Sequence, residues 1–340
     1  MLRPTMTTLL LLALLGLQTV HAATFKMATV APNGSAWMTE IQRAADSIAQ
    51  QTQGRVKFKF YTGGIMGSAK SVLKKIRINQ LQGGAFTTGN LAEVYPDIQV
   101  YSLPFLFRSY AEVDYVRSKM DNMLRQGMAK RGMVLLGMSD GGFAYFMSNT
   151  PISAVAALRD KKVWLPEGDQ IIQKTFEVIG IAPVPLSLAD VYTGLQTGMI
   201  DTIGTSSTGA IAFQWHTRIK YVSDIPLVYL MGNLILKQKA FNTLSPGDQA
   251  IVSQVMGAAM SKLGKINRRN NMQARKALQK QGIRFVSISP TERQRSEAIA
   301  KRAIAALIKK GILSATMYQQ LEKYLQDFRR QHSAATDGRK

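Results

Sequence analysis

The chain has 340 residues, contains no cysteine and carries a formal net charge of +22. Without thiols it cannot form disulfide bonds, thiolate metal sites or a cysteine nucleophile, so a hydrophobic core must stabilise the fold. A chain of this length can bury such a core and is long enough for two domains of ordinary size. The positive charge favours anionic partners such as lipid head groups, lipopolysaccharide or nucleic acid, unless it is spread evenly over solvated helix faces.

The first 23 residues have the pattern of a secretory signal peptide. Arg3 supplies a positive charge, an apolar run extends over Leu9–Leu17, and Val20 and Ala22 end it in a small-x-small pattern. The run is too short to span a membrane, whose hydrocarbon core of about 30 Å needs about 20 apolar residues. We therefore predict cleavage near Ala22 or Ala23, a periplasmic location, and a mature protein that is not inserted in the membrane.

Strand and helix patterns alternate along the mature chain, and this order predicts an α/β fold with two lobes. The predicted strands are Phe25–Val30, Arg55–Phe60, Ala85–Thr88, Met133–Met138, Phe143–Ser148, Lys162–Leu165, Ala182–Val184, Tyr229–Leu236 and Ile283–Ile288. The predicted helices include Ser68–Gln82, a helix with a capping-box pattern at Ser109 and Glu112, Ile171–Ile179, Pro246–Gln281, Thr291–Lys309 and Thr316–Arg330. We assign 24–148 with 229–288 to a discontinuous first lobe, 149–228 with contributions from helices 289–331 to a second lobe, and 332–340 to a disordered basic tail.

The most specific motif is Pro183–Asp201, in which Ser187 and Asp190 form a capping-box pattern and Gly198 is placed to end the helix. It is similar to the signature P-x-P-x-x-x-x-E-V-Y-x-A-L-Q-T-G-x-V-D-G of the DctP-type solute-binding proteins of TRAP transporters. Further segments resemble the same family in the same order, and they are Ala28–Pro32 with Trp37, Thr62–Ser68, Ser102–Phe107 and Leu244–Gln249.

This resemblance implies two α/β lobes around a deep cleft, a long helix that crosses both lobes, and a ligand enclosed when the lobes close. It also implies a receptor that delivers a small organic solute to TRAP membrane subunits without catalysis. We expect a monomer with no cofactor, no metal and no nucleic-acid partner. The three histidines, His21, His216 and His332, are too far apart in sequence to suggest a metal cluster or a catalytic triad.

The chain departs from the family where a ligand carboxylate is usually clamped. Family members typically carry an Arg in the strand equivalent to Lys162–Pro166, and its planar fork binds the carboxylate at two points. Trp164 stands at that position in this chain, and Ala144 stands where a second family Arg often lies. The resemblance therefore implies the family's cleft without the family's clamp.

A neutral, aromatic or cationic solute suits such a cleft better than an acid, because a buried carboxylate without a charged partner costs several kcal/mol. Trp164 offers a flat face for stacking or for a cation, and hydroxyl groups nearby can form hydrogen bonds. The candidate ligand-binding residues are Trp164, Phe143, Tyr145, Tyr192, Thr205, Ser206, Trp37 and Thr88.

Three alternatives stay open. Trp164 could fill the cleft or pack between the lobes, and Phe143 and Tyr145 could belong to the core. The protein could then be a DctP-like accessory or sensor-input protein without a transport role. It could also bind anionic envelope components through its basic surface, although the basic run from Lys262 to Lys280 lacks the aromatic residues of a single-strand binder.

Overall fold

The computed structural model describes residues 22–337, with side chains up to His332. Most of the predicted signal peptide and the last three residues of the predicted tail lie outside the described residues. The final helix extends to Asp337 and so enters the segment predicted to be disordered. None of the helices within 22–337 combines the length and the apolar character needed to cross a membrane.

The strands and helices follow the alternation predicted from the sequence. The strands are β1 (Ala23–Ala28), β2 (Val56–Tyr61), β3 (Gly83–Thr87), β4 (Met133–Ser148), β5 (Trp164–Pro166), β6 (Val184–Leu186), β7 (Thr202–Thr205), β8 (Tyr221–Ser223), β9 (Val228–Lys237) and β10 (Arg284–Val286). The helices are α1 (Ala36–Gln51), α2 (Ala69–Arg77), α3 (Thr88–Leu91), α4 (Tyr110–Lys130), α5 (Gln170–Val178), α6 (Val191–Thr197), α7 (Ser207–Ala212), α8 (Gln238–Phe241), α9 (Pro246–Lys280), α10 (Pro290–Lys309) and α11 (Ala315–Asp337).

The first lobe is built on a sheet whose two faces are both buried. β1 pairs in parallel with β2 and β3, as expected for βαβ units, and β3 pairs antiparallel with β9. On one face Leu234 and Leu136 pack with Met256 and Met260 of the long helix α9. On the other face α4 and α11 contribute Met120 and other apolar residues to a second core. The carboxyl ends of β1 and β3 are not covered by these cores and border a cleft.

β4 and β9 are the two strands that pass from one lobe to the other. They pair antiparallel along most of their length, and the later part of β4 also pairs with β7 and β8 of the second lobe. The sequence predicts two strands separated at Ser139–Gly142, but the structure has a single strand with a register shift between Asp140 and Gly142. Gly142 has a φ of 87°, a left-handed conformation that favours glycine and lets the strand bend there without ending.

The signature motif forms β6, a short 3₁₀ turn at Leu188–Asp190, and then α6. The predicted capping box is wrong at this helix, because the Ser187 hydroxyl donates to the Asp190 carboxylate and caps no backbone N–H. Gly198 does end α6, with a left-handed φ of 71°. β6 pairs in parallel with β5, which places Trp164 directly beside this motif.

The long helix α9 is tied to both lobes by polar contacts. Near its start Asp248 receives hydrogen bonds from Arg55, with an Nη2–Oδ1 distance of 2.9 Å. Further along, Asn271 Nδ2 donates to the Gly141 carbonyl at 3.1 Å, and Arg275 pairs with Asp224 at 2.7 Å. The helix therefore crosses the junction of the lobes, as the family resemblance implies. The lobe boundaries themselves stay a prediction.

A buried carboxylate holds this junction together. Asp140, at the bend of β4, is 4% exposed. It accepts a hydrogen bond from Arg117 of α4 and forms an ion pair with Arg268 of α9, with an Nη2–Oδ2 distance of 2.6 Å. Arg268 also pairs with the exposed Asp114, and its guanidinium lies 4.6 Å from the ring centre of Tyr110. Two cations and one buried anion thus fix α4, α9 and β4 at one point.

Replacing Asp140 should destabilise the protein far more than replacing Asp114. Asp140→Asn keeps the shape but removes the anion that the two arginines share, while Arg117 keeps Asp121 and Arg268 keeps Asp114 as partners. We therefore expect the free energy of unfolding to fall by about 2 to 3 kcal/mol. The matched control Asp114→Asn removes an exposed partner and should cost less than about 1 kcal/mol. Urea unfolding followed by circular dichroism measures both, and equal losses would contradict the assignment.

Candidate functional site

A cavity of about 320 Å³ lies between the two lobes, at the open ends of the strands. The first lobe contributes the residues that follow β1 and β3 and the turn before α2, and the second lobe contributes β5, the motif turn and the segment after β7. Residues of β9 close the cavity from the side where the chain crosses between lobes. The volume suits a small organic molecule.

Aromatic side chains of the second lobe form one wall. Trp164 is 5% exposed, and its ring meets Trp215 edge to face at a centroid distance of 5.3 Å. Phe213 stacks on Trp215 at 5.1 Å, and the Trp164 indole N–H donates to the Leu186 carbonyl at 3.0 Å. Because its donor is occupied and one edge is packed, Trp164 is held rigidly and presents carbon atoms to the cavity. Trp164 therefore packs within its own lobe and also lines the cavity, without filling it.

Four helices begin at the cavity wall, and each has a side-chain cap that lines the cavity. Ser68, Thr87 and Ser206 accept N–H groups from the first turns of α2, α3 and α7 through their hydroxyl oxygens. Asp169 does the same for α5, with its Oδ1 3.0 Å from the Ile172 nitrogen. Each cap occupies one N–H group of its first turn, and the positive helix ends still point toward the cavity.

The charge of the cavity wall is opposite to that of the whole protein. The chain has 43 Lys and Arg residues, yet none of the described residues that line the cavity is Lys, Arg or His. The two ionisable residues in the wall are the acids Glu167 and Asp169. Burial raises the pKa of Asp169 to about 6. Lys70, a possible source of positive charge beside the cleft, is exposed and lies outside this wall.

The two lobes touch each other at Gly89 and Asn90. The Asn90 side-chain amide donates to the Glu167 carbonyl at 3.1 Å. A methyl group on Gly89 would lie 2.9 Å from Asp169 Oδ2, which is closer than real contacts allow. A side chain at position 89 would therefore force the Asp169 side chain of the second lobe to move.

Five of the eight predicted ligand-binding residues line the cavity. They are Trp164, Thr205, Ser206, Trp37 and Thr88. Their binding role stays a prediction, but the structure brings them to one enclosed space. The Thr88 hydroxyl already has a partner, the Ser102 hydroxyl at 2.8 Å.

The other three predicted residues lie elsewhere. Phe143 is buried in the first-lobe core, with ring centroids 5.1 Å from Tyr110 and 5.2 Å from Tyr229. Tyr145 follows on the same strand and packs between the cores of the two lobes. Tyr192 projects from α6 beside Arg218, whose guanidinium is 5.7 Å from the ring centre. The alternative that Phe143 and Tyr145 belong to the core describes their positions correctly.

The sequence interpretation missed the acids and the close contact between lobes. Asp169 precedes an apolar helical run, which is the pattern of an N-cap, but nothing in that pattern indicates that it faces a cavity. Glu167 and Gly89 carry no local signal at all. Their importance depends on the distance between two lobes, which only the assembled fold defines.

Comparison with known proteins places this architecture in a family. Residues 27–310 match the family model DctP, the bacterial extracellular solute-binding proteins of family 7. The chain belongs to the DctP family. Members of this family are extracytoplasmic solute receptors of TRAP transporters, so the fold and the receptor function predicted from the sequence are confirmed.

Individual relatives are distant. The uncharacterized protein YiiZ of Salmonella typhimurium is 26% identical over 254 residues, 71% of this chain and 74% of that protein. The 2,3-diketo-L-gulonate-binding periplasmic protein YiaO of Escherichia coli is 26% identical over 220 residues, 63% of this chain and 66% of YiaO. The sugar acid binding protein DctPAm of Advenella mimigardefordensis, solved with galactonate, superposes with a TM-score of 0.83 at 17% identity, covering 90% of this chain and 99% of DctPAm.

The raised pKa of Asp169 should make the free energy of unfolding depend on pH. Its pKa of about 6 in the folded protein lies above the ordinary value of 3.8, so its ionisation destabilises the fold as the pH rises from about 4 to 6. Asp169→Asn keeps an N-capping residue but removes this ionisation. We expect the variant to gain about 2 to 3 kcal/mol relative to the parent protein between pH 4 and pH 7.

Urea unfolding at a series of pH values measures this difference. Ser68→Asn, which alters an uncharged cap at the same cavity, serves as the control and should give a curve parallel to that of the parent protein. Parallel curves for Asp169→Asn as well would show that Asp169 is not shielded from water.

Proposed function

We propose that this TRAP receptor binds a solute without a carboxylate, namely a flat and largely apolar organic molecule that is neutral or positively charged. The observation that carries the proposal is the absence of Lys, Arg and His from the described wall of the cavity. Trp164 and Ala144 occupy the positions where the resemblance implies clamping arginines. The solute would lie against the aromatic wall, with a hydrogen-bond donor or a positive charge directed at Asp169.

Electrostatics argue against an acid in this cavity. A carboxylate removed from water needs a charged partner or several free N–H donors. The described wall has no cationic side chain, and side-chain caps take one first-turn N–H group of each of the helices α2, α3 and α7. Asp169 would add repulsion between like charges above pH 6. YiaO and DctPAm are named for acids, 2,3-diketo-L-gulonate and sugar acids respectively. We propose that this chain differs from them because the clamp is missing.

The aromatic wall of the cavity favours a solute that contains a flat ring or a positive charge. Trp164 and Trp215 provide rigid aromatic surface, and an ammonium or a quaternary nitrogen is attracted to such a face when water is excluded. Thr205 and Ser206 are buried beside this surface, so their hydroxyl groups can meet a polar substituent of the solute. Asp169 completes the site as an acceptor at the first-lobe contact.

The remaining assignments complete the receptor function. We propose that the protein is exported with cleavage near Ala22 or Ala23, acts as a monomer, and passes its solute unchanged to TRAP membrane subunits. The family membership supports delivery at the membrane. The accessory or sensor-input role would be favoured only by a solute screen in which no chemical class stabilises the protein.

Matched benzene derivatives test the ligand class. At concentrations tenfold above the dissociation constant, a ligand stabilises the folded state by about 1.4 kcal/mol, which for a protein of this size is about 2 °C in melting temperature. We expect benzylamine and benzyl alcohol to raise the melting temperature, and benzoate to leave it unchanged. Differential scanning fluorimetry at pH 7.5 measures the shifts. A larger shift with benzoate or with galactonate would overturn the proposal.

Restoring the clamp should change the ligand class. Trp164→Arg places a guanidinium where the resemblance implies the family's clamp, and we expect benzoate and sugar acids to bind at least about tenfold tighter than to the parent protein. Trp164→Leu removes the indole without adding charge and should not gain affinity for acids. Isothermal titration calorimetry compares the two variants. A folded Trp164→Arg protein with no affinity for acids would place residue 164 outside the ligand site.

A further inference from the structure

The basic residues of α9 fall into two groups with different surroundings. The helix contains seven Lys and Arg residues, and its only acidic residue is Asp248 at the N-terminal end. Arg268 and Arg275 are half-buried and pair with Asp114 and Asp224. Lys262 pairs with Glu40 of α1 at 2.8 Å.

The other four basic residues form an exposed stripe. Lys265, Arg269, Lys276 and Lys280 are all exposed, and none of them has a carboxylate within ion-pair distance among the described residues. At 100° and 1.5 Å per residue they lie within a sector of about 80° over a length of about 22 Å. Met272 lies in the same sector and is 63% exposed. We call these five residues the α9 stripe.

Helix stability does not explain the α9 stripe. Positive residues near a helix C-terminus interact favourably with the helix dipole, which accounts for Lys276 and Lys280 but not for Lys265 and Arg269 in the middle of the helix. The spacing also places like charges four residues apart, in the pairs 265/269 and 276/280, and such pairs repel each other. An exposed methionine between them contributes nothing to the core. The stripe is therefore better explained by something that binds to it.

We propose that the α9 stripe binds the surface of an anionic phospholipid bilayer. Anionic lipid surfaces attract Lys and Arg held within a Debye length, and four charges along one side of a helix can contact several head groups without needing a complementary shape. Met272 can insert its thioether among the upper methylene groups, as apolar residues of interfacial helices do. A single-stranded nucleic acid would instead need aromatic residues for stacking, and the stripe has none.

Such binding would be weak and reversible, which suits a receptor that must meet its membrane subunits and leave again. Each charge near an anionic surface changes the partition coefficient about fivefold, so removing four should reduce it by about 600-fold. The inference does not depend on which solute the cleft holds.

Cosedimentation with vesicles tests the proposal. The mature protein is mixed with vesicles of phosphatidylcholine, with or without 30% phosphatidylglycerol, in buffer of physiological ionic strength. We expect binding only to the anionic vesicles, and a loss of about 600-fold when Lys265, Arg269, Lys276 and Lys280 are all replaced by Gln. Met272→Ser should weaken vesicle binding but leave heparin binding unchanged, because heparin has no apolar layer.

A second quadruple variant controls for net charge. Lys301, Arg302, Lys309 and Lys323 are also exposed and also comprise three lysines and one arginine, but they lie on α10 and α11. Their replacement by Gln should reduce vesicle binding only a few-fold. Equal losses in both variants, or tighter binding of the parent protein to duplex DNA or heparin than to anionic vesicles, would overturn the proposal. Unchanged melting temperatures confirm that the exposed substitutions leave the fold intact.

Discussion

The architecture depends on one buried ionic contact at the point where the chain bends between lobes. Asp140 lies at the irregular step of β4, and Arg117 and Arg268 reach it from helices on either side. Charges removed from water are held in place only when their geometry is satisfied, so this contact defines where α4, α9 and β4 meet. The strands on either side, and therefore the walls of the cleft, take their positions from it.

The candidate ligand site is an acidic and apolar cavity in a basic protein. Exposed lysines and arginines give the molecule its net charge, whereas Asp169 is the one ionisable helix cap among the described residues of the cavity wall. The helix ends directed at the cavity offset part of that negative charge, which makes it tolerable in a partly buried position. Trp164 fits the same environment, because an indole needs only one hydrogen-bond acceptor and finds it in Leu186.

Most of the fold could be predicted from the sequence, and the limits of that prediction have physical causes. Periodicity and caps located the helices, and motif order identified the family. The break predicted at Ser139–Gly142 was wrong because a bulge with Gly142 lets a strand continue. Of the predicted site residues, Trp164 and Thr205 line the cavity, whereas Phe143 lies in the core. Successive residues of a strand point to opposite faces of the sheet, and the sequence alone does not show which face borders the cavity.

The contact between Gly89, Asn90 and the Glu167–Asp169 turn has a consequence for how specificity can change. The bond across the cleft runs from the Asn90 amide to a backbone carbonyl, and the closest approach involves a residue without a side chain. The contact between the lobes therefore does not depend on the chemistry of a molecule enclosed in the cleft. In the proposed receptor, selectivity would reside in the wall behind this contact, so a substitution at Trp164 would change the solute that binds and leave the contact between the lobes unchanged.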